Sequence, residues 1–228
     1  IGYNMVYISK WWLAFSPLPS ERKKHVLPKT ILTPSRYFLK VIQKNDPKIK
    51  VRKTGAFRYP KPMTRITNDG ILRILVPLSH NIDDALNSIY KTQSILIELS
   101  KESKIVFNIT YKSHPAAEKS ALKNLTQNHR ARKETWTERP LAEELRTADI
   151  VLGERTFALL ESLNAGVPVG VIRSQDGLFH SSIPPGASSD RSLNVDSLKA
   201  FQKLIKIAMR RRSSKQFLEK PILEIPSR

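Results

Sequence analysis

The 228-residue chain has no cysteine, which excludes disulfides and thiolate catalysis. It is poor in acid, with 20 Asp and Glu against 39 Lys and Arg, a formal net charge of +19. No stretch approaches the roughly 18 apolar residues of a spanning helix, and the amino terminus does not read as a signal peptide. A cytoplasmic protein is therefore expected, soluble or peripheral on the inner face of the plasma membrane. With eight glycines, the chain has neither a Walker loop nor a G-x-G-x-x-G fingerprint. Its five histidines are scattered without a His-x-x-x-His pair, and Asp83-Asp84 reads as a capping pair at a helix start. No metal and no cofactor are expected.

What the chain does have is a 40% hydrophobic content, enough for a real core, and an uneven positive charge. Residues 21–65 carry fourteen Lys and Arg against Glu21 and Asp46, and residues 199–228 carry nine against Glu219 and Glu224. Such a field favours anionic partners: nucleic acid, acidic lipid headgroups, or nucleotide and polyanionic substrates.

The most informative segment is Ala148–Ile172, which reads strand, polar turn, short helix, glycine stop, strand. Ile150–Leu152 and Val169–Ile172 are β-branched apolar runs of the kind parallel sheets bury on both faces. Thr156 is placed to cap a helix over Phe157–Ala165, which Gly166 and Pro168 then end. The free N–H groups of that helix start would face an anion.

Upstream, Val26–Thr33, a helix to about Lys44, and Ile49–Val51 read as strand, helix and strand, with a linker over residues 56–70. A second unit opens with a strand at Ile71–Pro77, a helix over Asp83–Ser100 and a strand over Lys104–Tyr111. Residues 116–135 read as helix plus loop, Leu141–Thr147 as a short helix, residues 173–192 as loop, and Val195–Arg211 as a helix. This alternation predicts an α/β fold with a doubly wound, parallel, Rossmann-like sheet. Residues 1–65 are expected to be the remnant of a preceding domain of the same kind plus linker, 66–212 the Rossmann-like domain, and 213–228 a basic tail. The chain opens without Met and is read as cut from a longer protein.

Three polar clusters each follow an expected strand: Ser79-His80, Ser113-His114-Pro115 and Glu154-Arg155-Thr156. In one parallel sheet they converge on the crevice beyond the strand ends. His114 can donate to a phosphate or a nucleotide sugar, or be a surface turn histidine. Thr156 can bind phosphate or simply cap its helix. Glu161 can accept ribose hydroxyls or sit in solvent, and Arg155 can pair with phosphate or do the same.

Three stretches resemble glycosyltransferases of the GT-B fold, above all the bacterial surface-polysaccharide enzymes that use CMP-activated sugars, the polysialyl- and Kdo-type transferases. Leu27–Phe38 with Lys53–Tyr59 is similar to the last strand-helix-strand before that family's interdomain linker. Tyr111-Lys112-Ser113-His114-Pro115 looks like its His-Pro motif, and Ala148–Ile172 like its donor-site segment ending Glu161-x-x-x-x-Gly166-x-Pro168. The resemblance implies a nucleotide-sugar donor site with His114 and Thr156 on phosphate and nucleotide, Glu161 on ribose, and Ser79 and Arg155 alongside. It also implies an anionic glycan or lipid-linked acceptor, and a catalytic base in an amino-terminal domain that this chain mostly lacks. The basic arm suits peripheral contact with an anionic membrane. Two rival readings are a CDP-glycerol-type glycerophosphotransferase, whose relatives also carry a Lys-x-His-Pro stretch, and a basic nucleic-acid-binding α/β module. The latter is disfavoured because aromatic residues are not interleaved with the basic ones.

Overall fold

The computed structural model describes residues 2–3, 19–24, 28–33, 36–54, 70–103, 105–117, 122, 133–173, 183 and 192–213. Two parallel sheets are formed. The first pairs β1 (Gly2–Tyr3), β2 (Thr30–Thr33) and β3 (Lys50–Lys53) in that order. The short helix α1 is Pro19–Lys23. The connection from β2 to β3 runs through α2 (Arg36–Asn45), whose Ile42 packs on Ile31, Ile49 and Val51. Asp46 turns the chain back into β3, its carboxylate accepting the Lys48 amide at 3.1 Å. The strand expected from Val26 begins at Thr30, beyond Pro28, and the expected linker falls almost wholly outside the described residues.

The second sheet has six parallel strands: β4 (Leu72–Pro77), β5 (Phe107–Lys112), β6 (Lys133–Thr137), β7 (Ile150–Gly153), β8 (Val169–Val171) and β9 (Ser192–Asn194). Their spatial order is β6-β5-β4-β7-β8-β9. Counted by appearance this is 3-2-1-4-5-6, the doubly wound Rossmann order, and it reverses direction between β4 and β7. Asp149 holds that junction. Its buried carboxylate accepts the Arg73 amide at 2.8 Å while its own amide donates to the Arg73 carbonyl at 2.9 Å.

Alternation along the strands divides the core. Leu72, Ile74 and Val76 of β4, Phe107, Ile109 and Tyr111 of β5, and Ile150 and Leu152 of β7 face one side. There they are covered by α3 (Ile82–Glu102) and α6 (Leu198–Ser213). On the other side Leu75, Val151, Val169 and Val171 pack with Leu159 and Leu163 of α5 (Ala158–Asn164), and Leu141 of α4 (Leu141–Glu144) joins them. α5 ends as expected at Gly166, whose φ of 84° suits glycine. The Val167 amide reaches the Ser162 carbonyl at 2.9 Å and the Gly166 amide reaches Leu163 at 3.1 Å, closing a Schellman turn.

Two strands depart from expectation. Residues 133–137, of which 133–135 read as the end of a helix-plus-loop stretch, form β6; Thr135 and Trp136 pair with Thr110 and Tyr111 of β5, and the Trp136 and Tyr111 rings lie 5.4 Å apart. Residues 192–194, read as the end of a loop and the approach to a helix, form β9 against β8. Three residues cannot display a period, so only pairing reveals them. Asp83 and Asp84 are not the caps of α3 either. Asn81 is, its side-chain oxygen accepting both their amides at 2.9 and 3.1 Å, and the two carboxylates add charge to the first turn.

Gly170 sits where neighbouring side chains leave no room for a Cβ. A Cβ there would lie 2.4 Å from Leu152, 2.7 Å from Val195 and 2.8 Å from Leu204, because α6 and β9 close directly onto β8. Gly170→Val should therefore destabilise the fold by about 1–3 kcal/mol through overpacking. Urea unfolding of the two proteins checks this; equal midpoints would mean that the contact yields freely.

Candidate functional site

The parallel strands of the second sheet all end on the same rim, and the reversal between β4 and β7 opens a cleft there of about 520 Å³. Each expected site residue lines it: Ser79 after β4, His114 after β5, Arg155 and Thr156 after β7, and Glu161 on α5. His80 and Lys112 join them. The alignment is local in origin. The Leu78 amide donates to the Lys112 carbonyl at 2.9 Å, carrying the β4–β5 ladder one residue past β4, so Ser79 leaves the sheet in step with His114. Gly153 lets the end of β7 come close, since a Cβ there would lie 3.2 Å from the Pro77 carbonyl.

Ser79 is buried, and its oxygen accepts the Asn81 amide at 3.2 Å, leaving the hydroxyl proton for another acceptor. His114 is oriented by its own turn. Its Nδ1 accepts the Ala116 amide at 3.2 Å and its carbonyl accepts the Ala117 amide at 3.0 Å. A ring whose Nδ1 is an acceptor carries its proton on Nε2, so the imidazole is a neutral donor. Burial pulls its pKa below the ordinary 6.5, and His80, with ring centroids 5.7 Å apart, pulls in the same direction. Arg155 reaches Asp84 of α3 with Nη1 3.7 Å from Oδ1. Thr156 is buried, and its Oγ1 accepts the Ala158 amide at 3.3 Å. The helix starts one residue later than expected, Phe157 occupying the cap position with helical torsions. Thr156 therefore supports the first turn from one position further back.

Glu154 breaks the expected cluster. It turns to the opposite face, where it is buried and accepts a hydrogen bond from Asn87 of α3. Asn87 also donates to the Arg173 carbonyl at 3.2 Å, as Lys91 does at 2.9 Å. Glu154 is therefore a tie between sheet and helix rather than a wall of the cleft. The wall that sequence reasoning missed comes from the β6–α4 turn, where Pro140 and Leu141 line the cleft. Lys112 fixes that turn by donating from Nζ to the Arg139 carbonyl at 2.6 Å. Thr137 braces it, its Oγ1 accepting the Arg139 amide at 3.1 Å and donating to Glu144 at 2.6 Å. The Pro after a short Thr- and Trp-containing run was the available signal, parallel to Pro115 after β5.

The rim thus offers donors from three loops to one volume, with a carboxylate at Glu161 and an apolar flank at Pro115, Pro140, Leu141 and Phe157. At the first βα turn, where Rossmann folds often seat phosphate, Asn81 already occupies the free amides of α3 and Asp84 adds negative charge. An anion is better served beside His114, Arg155 and Thr156. Among the described residues no group of three or more His, Asp or Glu could hold a metal ion, and no helix is long and apolar enough to cross a membrane.

No protein-family model matches the chain, and no curated protein does either. Solved structures do. A structure described as accessory secretory protein 1, 2 and 3 of Streptococcus pneumoniae aligns with a TM-score of 0.53 and 14% identity, over 90% of this chain and 44% of that one. The pneumococcal O-GlcNAc transferase GtfA, solved with UDP and GlcNAc, aligns with a TM-score of 0.51 and 14% identity, over 95% of this chain and 46% of that one. A GtfA/B complex gives a TM-score of 0.53 at 8% identity, over 88% of this chain and 44% of that one. This chain therefore spans less than half the length of the solved chains it resembles. At such identities the likeness is one of fold: the α/β architecture with a doubly wound parallel sheet, expected from the alternation of strands and helices, is the fold they share.

The His114 geometry makes a pH prediction. Its folded pKa is depressed, so the unfolded chain binds the proton more readily, and stability present above pH 6.5 is lost as pH falls below it. In an NMR titration His114 should appear as the Nε2–H tautomer with a midpoint below the ordinary value. His80→Asn should raise that midpoint only partway, because burial is the larger cause. A wild-type midpoint above 6.5 would contradict the geometry.

Proposed function

We propose that this chain is the donor-binding half of a glycosyltransferase, taking a nucleotide-activated sugar in the cleft between the β4, β5 and β7 ends. The observation that carries the proposal is the convergence of Ser79, His114, Arg155, Thr156 and Glu161 on one cleft at the strand-order reversal. In this reading the His114 Nε2–H, the Ser79 hydroxyl and Arg155 hold phosphate, with Thr156 at the first turn of α5. Glu161 accepts the ribose hydroxyls, and the base lies toward Pro140 and Leu141. The fold shared with a transferase solved with UDP and GlcNAc supports a nucleotide-sugar donor, and the local motif resemblance favours CMP as the nucleotide. Residues 1–65 would then be the end of the acceptor domain with its linker, residues 66–212 the donor domain, and residues 213–228 a basic tail.

The chemistry follows from the leaving group. The bond between the anomeric carbon and the phosphate oxygen breaks as an acceptor hydroxyl attacks the carbon, and negative charge collects on the departing nucleotide. Fixed donors already aimed at the phosphate stabilise that charge without reorganising. The acceptor, a surface glycan or lipid-linked sugar, gives up its proton to a base that the reading assigns to the preceding domain.

Calorimetric titration of CMP, CDP, UDP and GDP against the wild type, His114→Ala and Glu161→Ala tests this. One nucleotide should bind selectively, CMP being the expected one. His114→Ala should weaken it about tenfold or more, the worth of a hydrogen bond to a charged group. Glu161→Ala should erase the preference for the ribonucleotide over its 2′-deoxy form. Indifference to all four nucleotides would count against the assignment.

A further inference from the structure

We propose that α6 is a docking face for an anionic phospholipid bilayer. Lys199, Lys203, Lys206 and Arg210 are all exposed. At about 100° per residue their spacing of four, three and four places them within about 60° of one another around the helix. They form a single basic ridge about 16 Å long. The opposite side of α6 is fully committed: Phe201, Leu204, Ile205 and Ala208 lie in the core. Arg211 is anchored by a donation from Nη1 to the Ala148 carbonyl at 3.3 Å. The ridge therefore cannot roll away from solvent.

Nothing on the helix balances this charge, since α6 contains no Asp or Glu. None of the three lysines has an ion-pair partner among the described residues. The acidic groups beside the helix are held by side chains other than these lysines, Glu102 by a neutral residue of α6 itself. Glu102 accepts from Gln202 at 2.9 Å, and Asp196 lies 4.0 Å from Arg173. Met209 adds an exposed apolar side chain at the flank of the ridge.

A flat anionic surface suits this ridge better than a nucleic acid. The ridge is convex, its charges are mostly lysine ammoniums rather than planar guanidiniums, and the one aromatic residue of α6, Phe201, is buried. Single strands need exposed aromatic platforms for their bases. A bilayer needs only a row of cations within a Debye length, each lysine strengthening binding about fivefold.

The test is co-sedimentation of the full chain with vesicles of phosphatidylglycerol and phosphatidylcholine, against vesicles of phosphatidylcholine alone. Binding is expected only to the anionic vesicles. The variant Lys199→Gln/Lys203→Gln/Lys206→Gln should bind about a hundredfold less tightly at low salt, with an unchanged circular dichroism spectrum. The charge-matched control Lys40→Gln/Lys44→Gln/Lys48→Gln removes three exposed lysines from the first sheet's region and should stay within about fivefold of wild type. Equal losses in the two triple variants would overturn the proposal in favour of diffuse charge. So would undiminished binding by the α6 variant, or a 20-nucleotide RNA that the ridge binds more tightly than vesicles.

Discussion

The six-stranded sheet depends on β4 lying beside both β5 and β7. Chain connections leave β4 toward β5 and β6 on one side and return to its other edge for β7, β8 and β9. Successive loops therefore diverge at that one point of the rim, and the divergence is the cleft. What makes the adjacency specific is polar as well as apolar. Leu75 and Val151 pair in register, but apolar runs alone tolerate slippage. The buried Asp149 carboxylate on the Arg73 amide does not, because a one-residue shift would strand a charged group in the core.

In the proposed reading, phosphate is held without a glycine-rich loop. Rossmann proteins with G-x-G-x-x-G bring backbone amides up to the ligand at the first βα turn. Here Asn81 takes those amides for itself. The compensation lies in side chains at the ends of β4, β5 and β7, each held by a short backbone bond within its own turn: Asn81 to Ser79, Ala116 to His114, Ala158 to Thr156. Such a site costs little extra strain. Its glycines are needed elsewhere, at Gly153 and Gly170, where neighbouring elements come too close for a Cβ.

Much of this was readable in the residues, and the part that was not has a physical cause. β4, β7 and β8 are central strands buried on both faces, so their apolar runs are unambiguous, and β5 shows a clean alternation of buried Phe107, Ile109 and Tyr111 with half-buried polar residues. The edge strands β6 and β9 are half exposed and polar, and Lys-Glu-Thr-Trp-Thr has no meaning as a strand until Tyr111 is beside Trp136. Site residues were legible for the same reason as the central strands, since a polar cluster after a buried run must emerge at a rim. Glu154 shows the limit. It follows β7 as directly as Arg155 does, yet which face it takes is decided by Asn87 sixty-seven residues earlier. The Pro140–Leu141 wall was hidden because it hangs from an edge strand.

The electrostatics of the cleft are quieter than a net charge of +19 suggests. His114 is pulled toward its neutral form by partial burial and by His80, and its Nδ1 accepts an amide. Arg155 faces Asp84, and Lys112 is tied to a carbonyl. The cleft is therefore a set of oriented donors more than a pool of free cations. Such a site discriminates by the position of its acceptors, because a donor without a partner in a partly dry pocket is a penalty for any ligand that misses it. The unbalanced positive charge lies instead on surfaces such as α6. That division lets attraction and recognition vary independently. Salt weakens the long-range field and leaves the short bonds at the rim nearly intact.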